Sequence, residues 1–142
     1  MSKQEEAALI LNLYELRREE TMRKARSWYI RDFFPESVAD FMAATKGDRG
    51  DYLRMVVSYW DMAAALVNEG AIGLQMFNST NAEHFVVFCK IEKILPEIRA
   101  NLNPNFAHNL ETLIDAIPDG RKRSAATRDR LAAAIRAQQP KS

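Results

Sequence analysis

Glycine and proline interrupt helices, and this 142-residue chain has only five of each. Nearly all fall between segments whose apolar residues recur every three to four positions, and no run alternates apolar with polar as a half-buried strand does. The reading is all-α: an irregular helical bundle of about five to six helices, with a long N-terminal helix and a helix kinked at Pro96. Apolar residues make up 47% and charged residues 27%, a balance that supports a packed core and not a disordered chain. The expected division is a single helical domain over residues 1–119, followed by a basic, weakly docked C-terminal helix or tail over 120–142.

The long N-terminal helix is expected to start at the Ser2 cap, with Glu5 completing a capping box, and to run to about Phe34 before Pro35. Unbroken, it would extend roughly 50 Å, so it must either bend or project toward another subunit. Glu19 with Arg23 and Glu20 with Lys24 have the spacing of supporting ion pairs in its polar middle. Ser37 is the expected cap of a short helix, "VADFMAAT", and Asp48 or Asp51 of the helix after it. Asn103 and Pro104 are expected to open a later helix in which Phe106, Leu110, Leu113, Ile114 and Ile117 share a face.

The helix from about Asp51 to Glu69 contains "SYWDMAAALVN", in which Asp61 stands between Trp60 and Met62. At about 100° per residue, Arg54, Ser58, Asp61, Ala65 and Asn68 form one narrow strip on an otherwise apolar helix. This is the expected central helix, and Arg54, Ser58 and Asp61 are its candidate polar seam. A buried ionised carboxylate without partners costs several kcal/mol, so Asp61 needs a partner. Candidates are Arg54, an arginine of the first helix such as Arg17, Arg18 or Arg26, another subunit, or a ligand.

Several chemistries lack their residues. A di-iron bundle needs Glu-x-x-His twice, but Asn81 and Asn105 stand three residues before the two histidines, His84 and His108. The chain has no nucleophile elbow, phosphate loop or glycine-rich fingerprint. His84, near a helix start, reads as a surface or interface residue, and Cys89, in "FVVFCKIE", as a small buried hydrophobe. No catalytic residue, metal or cofactor is expected. The N-terminal charges do not fit a secretory signal and no spanning segment is visible, so a cytoplasmic setting is the reading.

The second candidate site is basic. Residues 120–142 hold seven Lys or Arg against one acid, Asp129, with Arg121, Lys122 and Arg123 contiguous. Such a patch can neutralise phosphates, but it lacks interleaved aromatics and a reading helix, and the net charge of the chain is only +1.

The segments "YELRREETMRKARSWYIRDFFPES", "YLRMVVSYWDMAAALVNEGAIGLQMF" and "FVVFCKIEKILPEIRANLNPNF" together resemble an uncharacterised bacterial family of small helical proteins, known only as a domain of unknown function. The likeness spans roughly residues 10 to 117 and is sharpest at Trp60, Asp61, Asn68, Gly70, Ala71 and Ile72. It implies an all-helical cytoplasmic domain and brings no activity, cofactor or catalytic residue with it. The expected function is therefore interaction or oligomerisation without catalysis, as a homodimer pairing through the first helix and the Arg54–Asp61 seam. Second comes a small-ligand bundle with Asp61 as polar anchor. Weak nucleic-acid association through the basic segment comes third.

Overall fold

The computed structural model describes residues 2–138, which form nine α-helices and one short 3-10 turn, with no strand among them. In chain order these are α1 (Lys3–Arg17), α2 (Glu20–Arg31), α3 (Val38–Lys46), α4 (Gly50–Asn68), α5 (Leu74–Thr80), α6 (Glu83–Cys89), α7 (Leu95–Asn101), α8 (His108–Ala116) and α9 (Gly120–Gln138). The all-α reading stands, but five to six helices was too few, because two of the expected long helices are broken.

The first break lies at Glu19. Its backbone leaves the helical region at φ −57°, ψ 144°, and its carboxylate accepts hydrogen bonds from the backbone N–H groups of Thr21 and Met22, at 3.0 and 2.9 Å. The residue expected to pair with Arg23 instead caps a new helix, so the long helix becomes α1 and α2. Glu20 and Lys24 do pair, at 3.4 Å, on the exposed side of α2. At the N-terminus, the Ser2 and Glu5 capping box is present in both directions.

The second break lies by Pro96, where a proline either kinks a helix or restarts it, and here there is a restart and no kinked continuous helix. Helix α6 already ends at Cys89, a 3-10 turn covers Glu92–Ile94, and α7 starts at Leu95. Pro96 therefore sits in the first turn of α7, where its missing N–H has no helical acceptor to lose.

Ser37 caps α3 by accepting from the N–H of Asp40 at 3.2 Å. Neither Asp48 nor Asp51 caps α4, whose start is set by close backbone approach: a Cβ on Gly50 would lie 2.2 Å from the Thr45 carbonyl oxygen. The junction of α8 and α9 repeats the device, with a Gly120 Cβ falling 1.8 Å from the Ile114 carbonyl oxygen. Asn103 and Pro104 do not open α8, which begins at His108 after a left-handed Ala107. Asn103 closes a local turn by accepting from the N–H of Asn105.

Helix α4 is central, as its pattern predicts. Nine of its 19 residues are buried, including Leu53, Val56, Trp60, Ala63, Ala64 and Val67, and it packs against α2, α3, α6 and α8. It ends as expected, with Gly70 at φ +86°. Around it lie Tyr29, Phe41, Phe77, Phe88, Ile98, Leu110 and Leu113, all essentially without solvent exposure. Helix α9 packs on α6 and α8 through its small residues, burying Gly120, Ser124 and Thr127. Among the described residues no helix is long and apolar enough to cross a membrane.

Candidate functional site

The strip on α4 does not act as one seam. Arg54 turns back to its own helix start, donating to the Asp51 carboxylate and, at 3.3 Å, to the Thr45 carbonyl. Both members of that ion pair are mostly exposed, so its contribution to stability is small. The Ser58 hydroxyl donates to the Met55 carbonyl at 3.3 Å.

Asp61 reaches a different partner from any expected. One carboxylate oxygen accepts from the backbone N–H of Leu110 at 2.9 Å, and the other from the Asn109 side-chain amide at 3.2 Å. Leu110 is the third residue of α8, whose N-terminus has no side-chain cap of its own because the preceding residue is Ala107. A carboxylate there satisfies an N–H left over at the helix start and meets the positive end of the helix dipole. Asn68, two turns further along α4, donates to the Asn109 carbonyl at 3.0 Å. The strip thus ties α4 to α8, and both Asp61 oxygens are engaged within the chain.

The contiguous cations 121–123 point in three directions, as consecutive residues on a helix must. Arg121 lies among acids, 2.6 Å from Asp115, 2.9 Å from Glu111 and 3.4 Å from Glu92, with its guanidinium over the Phe88 ring. The hydrogen bond to Asp115 holds it more firmly protonated and outweighs the cost of burial. The same bond lowers the Asp115 carboxyl below its ordinary range. Arg123 covers the Phe85 ring at 4.5 Å and reaches Asn78, while Lys122 is exposed. Lys141, the last of the basic residues, lies outside the described residues.

A more buried polar cluster joins α1, α2, α4 and α6. Arg26 forms a two-pronged pair with Glu83, both bonds 2.8 Å long, and the Trp60 ring N–H donates to the same carboxylate at 2.9 Å. The pair lies mostly out of solvent, and the hydrogen bond to Glu83 raises the Arg26 guanidinium above its ordinary value against the opposing effect of burial. Arg17 lies over the Trp60 ring at 5.3 Å and donates to Asn81 at 2.8 Å. The Tyr59 hydroxyl donates to the Leu13 carbonyl. This network does not appear in the sequence reading, although two signals for it exist. A buried indole N–H needs an acceptor, and Glu83 stands at a helix start with an apolar stretch behind it.

His84 is not at the surface. It is fully buried between the rings of Trp60, Phe77 and Phe85, and among the described residues no group hydrogen-bonds to either of its nitrogens. Burial, helped by the charge of Arg123, pushes its pKa down to about 4, so the imidazole is neutral at ordinary pH. Cys89 is buried as its neighbours suggested, with burial raising the thiol to about 11. Such a thiol is protonated and unreactive at neutral pH. Lys90 beside it donates to three carbonyls, those of Tyr29, Ile30 and Phe33, and so closes the C-terminal end of α2.

None of these clusters places a nucleophile beside a base. An open, mainly apolar groove of about 1060 Å³ lies between α1, the start of α2 and α4, lined by Leu16, Met22, Met55, Tyr59 and Met62. Asn12, Glu15, Glu19 and Ser58 form its polar edge. Leu16 and Met62 are 57% and 44% exposed there, although each is a large apolar side chain.

No curated protein and no solved structure matches the chain. A family model does, over residues 4–117, which takes in α1 through α8 and stops before α9. The chain belongs to the family described as a domain of unknown function, DUF4760.

Proposed function

We propose that the protein works by association and not by catalysis, pairing with a second copy of itself through the groove between α1 and α4. The observation that carries this reading is the exposure of Leu16 and Met62 on facing walls of one groove, with Met22 and Met55 beneath them. Adaptable methionine-lined grooves accept helices, and α1 is a helix of the kind they accept. Its Ile10 and Leu13 are buried inward, while Leu16, one turn after Leu13, remains 57% exposed at the groove. A large apolar side chain left open beside other apolar groups gains from being covered by a partner. Glu15 of α1 and Arg18 just after it, paired with each other at 2.9 Å and both mostly exposed, could exchange partners across a two-fold axis. Of the expected seam, Ser58 lines the groove, whereas Arg54 and Asp61 make their bonds within the chain. The single buried thiol suits a reducing compartment, so the proposed setting is the cytoplasm.

Sedimentation equilibrium of the wild type and of a Leu16→Glu/Met62→Glu double variant tests the proposal. The expected result is a wild-type dimer, with a variant that is monomeric yet retains its helical circular dichroism and melting temperature. A wild type that stays monomeric up to its solubility limit, or a variant that dimerises as tightly, overturns it.

A further inference from the structure

A second cavity lies where the last turns of α9 pass over the α2–α3 connection and the corner after α6. Its volume is about 420 Å³ and it is half enclosed. Pockets for small organic ligands run from about 300 to 1,000 Å³ and are mainly apolar with a few placed polar groups. Here the apolar surface comes from Phe34, Pro35, Ile94, Leu131, Ala132 and Ile135. The charged lining is one-sided, with Lys90, Lys93 and Arg128 against the single acid Glu36.

We infer that this cavity binds a small amphipathic anion, with an apolar chain against α9 and a carboxylate head at Lys93 and Arg128.

Three observations support the assignment. First, α9 is rich in alanine and arginine and buries mainly small residues against the bundle, yet it carries Leu131 and Ile135 one turn apart. Both are only partly covered and both line the cavity, and Arg128 stands one turn before Leu131 on the same side. This row puts an apolar wall and a cation in the order that an amphipathic chain requires. Second, Phe34 on the facing wall is 39% exposed, so the cavity leaves apolar area on both sides uncovered. Third, the cations differ in availability. The Lys90 ammonium is committed to three backbone carbonyls and lies 3.8 Å from the centre of the Phe34 ring. It supplies fixed positive charge without a free donor. Among the described residues, Lys93 and Arg128 have neither a hydrogen-bond nor an ion-pair partner, which leaves their donors for a ligand head group. Burial among these carbonyls lowers Lys90 to about 8.

Calorimetric titration of the full chain with octanoate, 1-octanol and inorganic phosphate tests the inference. Octanoate is expected to bind saturably at one site, more tightly than either other probe. Removing both head-group donors in a Lys93→Gln/Arg128→Gln variant weakens octanoate by about tenfold and leaves 1-octanol unchanged. Ala132→Trp, at an exposed position on the wall, fills the cavity and abolishes binding of both, with the melting temperature retained. The inference is overturned if octanoate shows no saturable binding, if phosphate binds as tightly as octanoate, if the double variant weakens both chain-bearing probes equally, or if Ala132→Trp still binds octanoate.

Discussion

Mild acid should destabilise this protein through one residue, His84. Its folded pKa is about 4, below the ordinary value of 6.5, because the charged imidazole would stand among Trp60, Phe77 and Phe85 with no partner. Between those two values the unfolded chain binds the extra proton and the folded chain does not. Stability therefore rises with pH across this window and falls on acidification through it. One pKa unit corresponds to about 1.4 kcal/mol, so lowering the pH from about 7.5 to about 5 should remove about 2 kcal/mol through this residue alone. Against a typical total of roughly 5 to 15 kcal/mol, that is a measurable shift in a urea midpoint. The comparison variant is His84→Leu, which fits a buried apolar site and cannot titrate. At neutral pH it should match or exceed the wild type, since it removes a buried polar ring without partners. On acidification it should escape the His84 share of the loss, while shared carboxylate effects cancel between the two proteins. Paired urea titrations at both pH values measure this difference, and imidazole proton resonances report the titration directly. If wild type and variant lose the same stability, or if the His84 resonance titrates near 6.5, burial is not holding the ring neutral.

Two substitutions test the polar links between helices. Asp61→Ala strips the borrowed cap from α8 and should cost about 1 to 2 kcal/mol, read by chemical denaturation, with faster amide exchange at Leu110 as its local sign. Glu83→Gln leaves the Arg26 guanidinium without its countercharge and should cost about 3 kcal/mol, with a changed Trp60 fluorescence spectrum; an unchanged denaturation midpoint would show that the pair contributes nothing net.

The residues of α4 show what a sequence reveals and what it hides. Helical period placed Asp61 on the correct strip and identified the helix as central, because both properties are local. The partner was hidden because it is a backbone N–H 49 positions along the chain, and backbone groups leave no mark in a list of side chains. Glu19 departs from its expected ion pair for a related reason. Its spacing to Arg23 fits an ion pair, but two local N–H groups offered a carboxylate better geometry, and the helix broke there. His84 is polar yet buried because its neighbours decide its place, "HFVVF" running straight into the core. The Lys90 cap on α2 joins residues about 60 apart, beyond the reach of any periodicity argument. The cavity beneath α9 depends on how two corners and a helix meet, and no segment contains it alone.

The two glycines that open α4 and α9 have a mechanical consequence. At Gly50 and Gly120 the incoming helix presses a carbonyl into the space a side chain would occupy, so the chain turns a corner with no atom to spare. Such a corner acts as a bracket, because its angle is set by main-chain contact and does not depend on which side chains lie further out. A helix as sparsely equipped as α9 can then hold its heading over 19 residues with few large anchors. Its outer face is thereby left free to vary in sequence without the helix swinging away from the bundle.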